Sequence, residues 1–364
     1  MPDLEKLKGK LGEIWESRWL TNSGRQHQLL EDSLRAYLKV PGLSLFNNGT
    51  IALIVAIQSL RLSGEVITTP FTFPATPHVL TWNNIRPIFC DIDPVTMTID
   101  AEKIESMITS QTTGILGVHV FGNPCNVDKI KDIADKYGLK IVYDAAHAFG
   151  AEINEKGIGT FGDISMFSFH ATKLYHTAEG GALTFNDKHL KQRIDLLKNF
   201  GIKNEEEVMM PGINGKMNEI QAALGLLVLE MVADEMKKRQ RIAEIYRHNL
   251  TKIQGLSLPE EIKRTKSSLQ YFYVRINDKL FGASRDDVHQ VLKNKFNVIS
   301  RKYFFPLCSD YTCYKHLPSS SADNLPIAGK VIKEVLCLPF YGGLKDDDVI
   351  NICNMFVDIR NQNN

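Results

Sequence analysis

The sequence predicts an α/β protein with a large, mostly parallel sheet domain over residues 1–250 and a smaller α+β domain over residues 251–364. Short apolar runs alternate with helical patterns through the first two-thirds of the chain, a long helical pattern follows, and the alternation then stops. Near-continuous β-branched and aromatic runs separated by helices are typical of a parallel sheet that is covered on both faces. The loss of alternation predicts the second domain.

Six apolar runs are predicted to form the strands of the large sheet, at residues 65–69, 87–91, 114–120, 140–144, 163–169 and 181–185. Helices are predicted between several of them, over residues 50–62 and 127–137. Ligands of such sheets bind beyond the carboxyl ends of the strands. Functional residues are therefore expected just after these runs.

The two ends of the chain give simpler signals. The first 20 residues contain four acidic residues and no apolar core, which predicts a helix in a cytoplasmic protein rather than a signal peptide or membrane anchor. Apolar residues at helical spacing from Met217 to about Leu250 predict a long helix that leaves the large domain. Beyond it, residues 269–275 are predicted as a strand and residues 285–295 as a helix.

Composition excludes several classes of protein. With 43% hydrophobic and 23% charged residues, the 364-residue chain has the composition of a folded globular protein. A formal net charge of +1 without a dense Lys/Arg stripe argues against nucleic-acid binding, whereas a phosphate-bearing small molecule needs only one local site. Six cysteines without a CxxC pair give no support for a metal site.

A first candidate binding segment is the turn formed by Asn48, Gly49 and Thr50 before an apolar helix that starts with Ile51. Small residues at a helix N-terminus leave backbone N–H groups free and present the positive end of the helix dipole, which suits a phosphate. The same residues also suit an ordinary turn with a helix N-cap.

A second candidate segment follows the predicted strand at residues 140–144. Asp144 directly follows buried-looking residues, and His147 comes three residues later. A carboxylate in this place is suited to neutralising a protonated heteroaromatic nitrogen, with His147 approaching the same ligand. A helix N-cap by Asp144 and a core histidine are the alternative interpretation.

The third candidate segment contains Lys173, a few residues after the strand that ends near Ser168. Thr172 and the pair Gly180 and Gly181 flank it. A lysine in a pocket loses its proton more readily and forms a Schiff base with a carbonyl cofactor. The apolar strand and the glycines predict a buried loop, which disfavours the alternative of a solvated surface lysine.

Taken together, these segments resemble the DegT/DnrJ/StrS family of sugar aminotransferases, which have the aspartate-aminotransferase (fold type I) architecture. The resemblance covers nearly the whole chain, through WLTNSG at 19–24, EVITTPFTF at 65–73, PIFCDID at 87–93, HVFGNP at 119–124, GINGKM at 212–217, YFFP at 303–306 and LPFY at 338–341.

The resemblance implies pyridoxal 5′-phosphate (PLP) as cofactor, with pyridoxamine 5′-phosphate as its aminated form. Lys173 would bind the cofactor covalently, Asp144 would pair with the ring nitrogen, His147 would lie near the ring oxygen and Phe73 would stack on the ring. The resemblance assigns the phosphate to Gly49, Thr50, Ile51 and Ser168, with Asn214 reaching across from a second subunit of a homodimer. Arg301 and Tyr303 are candidates for binding the diphosphate of a nucleotide sugar.

The stretch SFHATK at 168–173 resembles enzymes that aminate C4 of dTDP-4-keto-6-deoxyglucose. The implied reaction transfers an amino group from L-glutamate to that nucleotide-linked keto sugar, giving dTDP-4-amino-4,6-dideoxyglucose for a bacterial surface glycan such as an O-antigen. The alternatives are amination of a 3-keto or UDP-linked sugar, a sugar dehydratase in which histidine replaces the lysine, and a non-catalytic regulatory member. No nucleic-acid or membrane partner is expected.

Overall fold

The computed structural model describes residues 1–363, which contain a seven-stranded sheet and two three-stranded sheets. The strands, in chain order, are β1 Gly42–Phe46, β2 Glu65–Thr68, β3 Arg86–Phe89, β4 Thr112–Val118, β5 Lys140–Asp144, β6 Glu152–Ile153, β7 Lys156–Gly157, β8 Ile164–Ser168, β9 Gly181–Phe185, β10 Leu256–Ser257, β11 Thr265–Lys266, β12 Tyr273–Ile276 and β13 Val335–Cys337.

The α-helices of this described part are α1 Leu4–Ser17, α2 Arg25–Tyr37, α3 Gly49–Ser59, α4 Ala75–Trp82, α5 Ala101–Ile104, α6 Val127–Tyr137, α7 His189–Leu197, α8 Glu219–Leu250, α9 Asp278–Phe281, α10 Arg285–Phe296, α11 Pro326–Glu334 and α12 Asp346–Asn363. None of them is both long enough and apolar enough to cross a membrane.

The large sheet has the strand order β1-β9-β8-β5-β4-β2-β3. The pairs β8–β5, β5–β4, β4–β2 and β2–β3 are parallel, while β9 runs antiparallel to both of its neighbours. This confirms the predicted mostly parallel α/β class. In the parallel register Val118 lies opposite Asp144, and Asp144 lies opposite Met166. The carboxyl ends of β4, β5 and β8 therefore share one edge.

The six predicted strands all form, with ends that differ by a few residues at most, but the sequence analysis missed β1. This strand is fully buried and pairs antiparallel with β9. At its end, Phe46 lies opposite Gly181. It places the Asn48–Gly49 turn directly over the start of β9, where a Cβ on Gly181 would lie 2.9 Å from Asn48 backbone carbon. Strand β1 therefore places the Asn48–Gly49 turn next to the strand ends that hold the other two candidate segments.

Helix α8 joins two hydrophobic cores. Its capping box, formed by Asn218 and Gln221, fixes its start, and Ala222 and Val228 pack in the core under the large sheet. Further along, Ile242 and Tyr246 pack in a second core with residues of the C-terminal part. The end of α8 at Leu250 is therefore the boundary that we propose between the two domains.

The C-terminal part has the sheet order β10-β12-β13. The predicted start of the strand at residues 269–275 is wrong. Leu269 has a left-handed backbone conformation with a φ of 50°, and strand pairing begins at Tyr273. The segment before β12 runs instead beside the loop that carries Lys173. The C-terminal part also contacts the segment after β3. There the buried Asp91 accepts hydrogen bonds from backbone N–H groups in the first turn of α11, including that of Ala328 at 2.8 Å.

Candidate active site

A cavity of about 640 Å³ opens at the shared edge of the large sheet. The last residues of β4, β5 and β8 line it, together with the first turn of α3. It brings together nine residues that the sequence analysis had singled out, namely Gly49, Thr50, Ile51, Phe73, Asp144, His147, Ser168, Lys173 and Tyr303. Segments separated by more than 100 residues in the chain therefore meet at one site.

Asp144 is a buried carboxylate that is held at both oxygens. Its Oδ1 accepts a hydrogen bond from the Ala146 backbone N–H at 3.0 Å, and its Oδ2 accepts one from the Thr76 hydroxyl at 2.8 Å. Burial raises the pKa of Asp144, while the two hydrogen bonds and the positive charge of Lys173 act in the opposite direction. The side chain is a fixed acceptor at the end of β5.

Lys173 lies in the loop after β8, and its environment makes it a poor cation. Burial lowers the pKa of its ammonium group to about 8, and the charge of Asp144 only partly opposes this. Within residues 1–363, its Nζ forms no hydrogen bond or ion pair with another side chain. A lysine with a lowered pKa and a free Nζ is ready to act as a nucleophile.

The loop around Lys173 is clamped by Gln270 from the C-terminal part. The Gln270 side-chain oxygen accepts a hydrogen bond from Leu174 N–H at 2.7 Å, and its amide nitrogen donates to the Thr172 carbonyl at 3.2 Å. Gln270 is buried, so both backbone groups would lose their partners without it. The clamp fixes the backbone on both sides of Lys173 and leaves the lysine side chain free.

His147 is a neutral, oriented imidazole. Its Nδ1 accepts a hydrogen bond from the Phe121 backbone N–H at 3.3 Å, which places the ring proton on Nε2. Burial lowers the pKa of His147 well below its ordinary value, and Lys173 adds to this effect. The ring also stacks parallel to Phe304, with centroids 5.6 Å apart. His147 is thereby prepared to donate one hydrogen bond from Nε2.

The start of α3 provides a compact cradle next to Ser168. A Cβ on Gly49 would lie 3.1 Å from Met166 Sδ and 3.2 Å from Ser168 Cβ, so a glycine permits the close approach of this turn to β8. The Ile51 N–H is already donated to Asn48 Oδ1 at 2.8 Å. The N–H groups at Gly49 and Thr50 therefore remain as the donors for an anion, with the Ser168 hydroxyl beside them.

Phe73 and the aromatic residues Tyr271, Tyr303 and Phe304 of the C-terminal part complete the walls of the cavity. The Phe73 side chain is 56% exposed, although Phe71 and Thr72 just before it are buried. Its ring is accessible to a flat ligand in the cavity. Tyr271, which the sequence analysis did not single out, packs edge-on against His147 with centroids 5.0 Å apart and against Tyr303 at 5.5 Å.

Two predicted site residues lie outside this cavity. Arg301 lines a neighbouring cavity of about 540 Å³, which shares Lys173, Tyr271 and Tyr303 with the first one. Asn214 is exposed, and its backbone carbonyl accepts a hydrogen bond from Asn47 at 3.4 Å. The described structure therefore places Asn214 beside Asn47, at the edge of the cavity, and its role across a subunit interface stays a prediction.

Thr72, Thr76, Gln270 and Tyr271 are the site residues that sequence reasoning missed. Thr76 contacts Asp144 across 68 positions of the chain, and Gln270 contacts Leu174 across 96. No local spacing connects such pairs. The position of Thr76 three residues after Phe73 was the one available signal, because both lie in the segment that enters α4.

These side chains fit PLP. The lysine with a lowered pKa suits the aldehyde, the buried carboxylate suits the ring nitrogen, the α3 turn suits the phosphate and the accessible aromatic suits a ring face. Fold and site together define a PLP-dependent aminotransferase. Among the described residues, no group of three or more His, Cys, Asp or Glu side chains is arranged to hold a metal ion.

The chain belongs to the DegT/DnrJ/EryC1/StrS aminotransferase family, whose model matches residues 3–357. A dTDP-4-amino-4,6-dideoxy-D-glucose transaminase of Escherichia coli is 45% identical over 98% of this chain and 96% of its own length. A transaminase of the same name from Shigella dysenteriae is 42% identical, with coverage of 99% and 97%. The predicted family is therefore confirmed.

Solved structures agree with this assignment. DesI, crystallised in the presence of its TDP-sugar product, has a TM-score of 0.94 and 32% identity, covering 100% of this chain and 92% of the DesI chain. The PLP form of the sugar aminotransferase Spr1654 from Streptococcus pneumoniae has a TM-score of 0.91 and 26% identity, with coverage of 99% and 97%. PLP as the cofactor is confirmed with the family.

Proposed function

We propose that this enzyme transfers an amino group from L-glutamate to the C4 keto group of dTDP-4-keto-6-deoxy-D-glucose, giving dTDP-4-amino-4,6-dideoxy-D-glucose. The observation that carries the proposal is the full-length identity of 45% and 42% to two transaminases named for this product. We further propose that the reaction takes place in the cytoplasm. The product is a nucleotide-activated sugar, which suits a donor for a bacterial surface glycan.

PLP, when bound, supplies an electron sink that stabilises negative charge on the carbon next to the transferred nitrogen. Lys173 has two tasks in our proposal. Its amine, whose pKa burial lowers to about 8, would hold the cofactor, and its freed Nζ would move a proton to and from the carbon next to the transferred nitrogen. Because its Nζ is not tied to another side chain, the same lysine would serve both half-reactions.

Asp144 keeps the electron sink active. Its carboxylate would pair with the ring nitrogen of the cofactor and would favour the protonated, positively charged form of that nitrogen. Burial raises the pKa of Asp144, and the hydrogen bonds from Ala146 and Thr76 oppose this effect and favour the ionised carboxylate. His147, with its proton on Nε2, would donate to the ring oxygen, and Gly49, Thr50 and Ser168 would hold the phosphate. Ile51, which the resemblance also assigns to the phosphate, already donates its N–H to Asn48 Oδ1.

The substrate diphosphate is assigned to Arg301 and Tyr303 in the neighbouring cavity. Tyr303 lines both cavities. One extended ligand could therefore place its sugar near Lys173 and its nucleotide near Arg301. The guanidinium group of Arg301 suits a diphosphate because it presents several donors in one plane.

We propose that the enzyme is a homodimer in which Asn214 reaches the partner's cofactor phosphate. The segment before it forms a hairpin with the bridge Ile202↔Val208. This hairpin exposes apolar side chains, with Val208 68% and Met209 55% exposed, as expected of a surface that a second subunit covers. Sedimentation in the analytical ultracentrifuge at micromolar concentration tests the dimer.

The dehydratase alternative is disfavoured by the position of the histidine nearest to Lys173 in the chain. His170 lies three residues earlier, is exposed, and bonds to the Thr172 hydroxyl at 2.9 Å, so it does not replace the lysine. The regulatory alternative is disfavoured by the complete set of lysine, carboxylate and phosphate cradle at one cavity.

A panel of keto sugars tests the proposed substrate. Purified enzyme with PLP and L-glutamate is offered 4-keto and 3-keto sugars linked to dTDP or UDP, and the products are identified by mass spectrometry and NMR. We expect amination of the dTDP-linked 4-keto-6-deoxyglucose with the highest kcat/KM. A higher kcat/KM for a 3-keto or UDP-linked sugar contradicts the proposal.

A further inference from the structure

Three buried oxygen-bearing groups form a chain that ends at Asp144. The Thr72 and Thr76 hydroxyl oxygens lie 2.8 Å apart, and the Thr76 hydroxyl oxygen lies 2.8 Å from Asp144 Oδ2. Both threonine side chains are almost completely inaccessible to solvent, at 1% and 0% exposure. Buried hydroxyls depend on neighbouring polar groups for their hydrogen bonds, so this chain has a defined arrangement.

The direction of the protons follows from the hydrogen bond that the Thr76 hydroxyl donates to Asp144 Oδ2. A carboxylate only accepts hydrogen bonds, so the single hydroxyl proton of Thr76 is donated to Asp144. Thr76 then has only lone pairs left for Thr72, and the Thr72 hydroxyl must donate to Thr76. Both hydroxyl dipoles therefore point toward the carboxylate and favour its negative charge.

The chain also fixes the orientation of the carboxylate. Ala146 N–H holds Oδ1 from the segment after β5, whereas Thr76 holds Oδ2 from the first turn of α4. Two donors from different elements prevent rotation of the carboxylate plane. Phe73 lies between Thr72 and Thr76 in the chain, so one short segment places both the accessible aromatic ring and the donor to Asp144.

We propose that Thr76, supported by Thr72, is a positioning residue that keeps Asp144 ionised and directed at the ring nitrogen of PLP. This inference rests on the PLP chemistry described above and adds residues outside direct contact with the reacting atoms. In this proposal the hydroxyl chain acts through the interaction of Asp144 with the ring nitrogen. Loss of the Thr76 hydroxyl should therefore weaken the binding of a cofactor that has this nitrogen and spare one that lacks it.

The test compares Thr76→Val with Thr76→Ser in cofactor-free protein. Valine has nearly the shape of threonine without its hydroxyl, and serine keeps the hydroxyl. The affinity for PLP is measured by fluorescence titration between pH 6 and 9. We expect Thr76→Val to bind PLP about tenfold more weakly, with the loss of affinity on acidification shifted to higher pH, and Thr76→Ser to stay within about threefold of the wild type.

A PLP analogue separates positioning from general stability. In 1-deaza-PLP a C–H group replaces the ring nitrogen, so Asp144 has no pyridinium to bind. We expect Thr76→Val to leave the affinity for this analogue within about twofold of the wild type. Thr68→Val serves as a matched control, because Thr68 is also fully buried and donates its hydroxyl to the Leu116 carbonyl at 2.8 Å.

Equal weakening of PLP and 1-deaza-PLP binding by Thr76→Val, or no weakening of either, overturns the inference. Weakening of PLP binding by Thr68→Val to the same degree also overturns it. These measurements do not involve a sugar substrate. Failure of the proposed amination of a dTDP-linked keto sugar by the wild type is therefore a separate outcome.

Discussion

The two ionisable groups of the site, Asp144 and Lys173, are both largely enclosed but are held in opposite ways. Asp144 accepts hydrogen bonds at both oxygens, from Ala146 and Thr76, and these bonds oppose the effect of burial on its pKa. Lys173 is held through the backbone of Thr172 and Leu174, which Gln270 clamps, while burial lowers the pKa of its Nζ to about 8. One group is a fixed charge and the other is a mobile base.

This difference matches what transamination requires of each group. A carboxylate that stabilises the protonated ring nitrogen is most effective when its position does not change during the reaction. A lysine that binds the cofactor and then moves protons must rotate between positions and must lose its own proton near neutral pH. Each of the following experiments tests either the fixed position of Asp144 or the mobility and lowered pKa of Lys173.

The largest effect is expected for Lys173→Ala. This variant lacks both the nucleophile and the base, so turnover falls by at least ~10³-fold. The visible absorbance of the lysine-bound cofactor disappears as well. Lys315→Ala, which removes an exposed lysine outside the cavity, should behave as the wild type. Retention of the visible band in Lys173→Ala contradicts the assignment.

Asp144→Asn tests the fixed charge. The amide has nearly the same shape but no negative charge, so the ring nitrogen is no longer kept protonated. We expect kcat to fall by about 10²-fold, equivalent to about 3 kcal/mol, together with weaker PLP binding. Steady-state kinetics at saturating PLP measure this. A variant within about threefold of the wild-type kcat rules out the proposed role.

The rate of covalent PLP attachment should depend on pH through Lys173. Its pKa is lowered, so the neutral amine already accounts for half of the population near pH 8. We expect the rate to rise about tenfold per pH unit below pH 8 and to level off above it. Stopped-flow absorbance records the rate. A rise that continues to the ordinary lysine pKa of 10.5 contradicts the effect of burial.

Gln270→Leu is expected to have the smallest effect of the four. It removes the two hydrogen bonds that fix the loop but leaves the Lys173 side chain intact. We expect the free energy of unfolding to fall by about 1–3 kcal/mol and kcat to fall about fivefold. Gln240→Leu is the matched control, because the side chain of Gln240 is exposed and donates a hydrogen bond to Glu244 of the same helix. Equal effects of both variants argue against a clamp.

The elements that sequence reasoning predicted well are those defined by local pattern. Strand β5 and helix α6 were predicted with the bounds that the structure has, Asp144 was predicted at the end of a strand, and Lys173 was predicted in the loop after one. Their positions follow from short-range spacing plus the general rule on parallel sheets. The fold class follows from the same alternation.

The parts that were missed depend on contacts across the fold. Strand β1 pairs antiparallel with β9, which lies about 140 residues later in the chain, and this pairing has no local signal. Thr76 and Gln270 are ordinary polar residues in the sequence, and their importance arises only because α4 and the segment before β12 pack against the site. The start of β12 was misplaced because an apolar run conceals the turn at Leu269.

The most direct test of the account is chemical trapping of the bound cofactor. The wild-type protein is loaded with PLP at pH 8, reduced with borohydride, digested, and analysed by peptide mass spectrometry. We expect the pyridoxyl label on Lys173 alone, because its amine is the one with a lowered pKa beside Asp144 and the α3 turn. A label on a different lysine, or no label in a protein that aminates a keto sugar, contradicts the account.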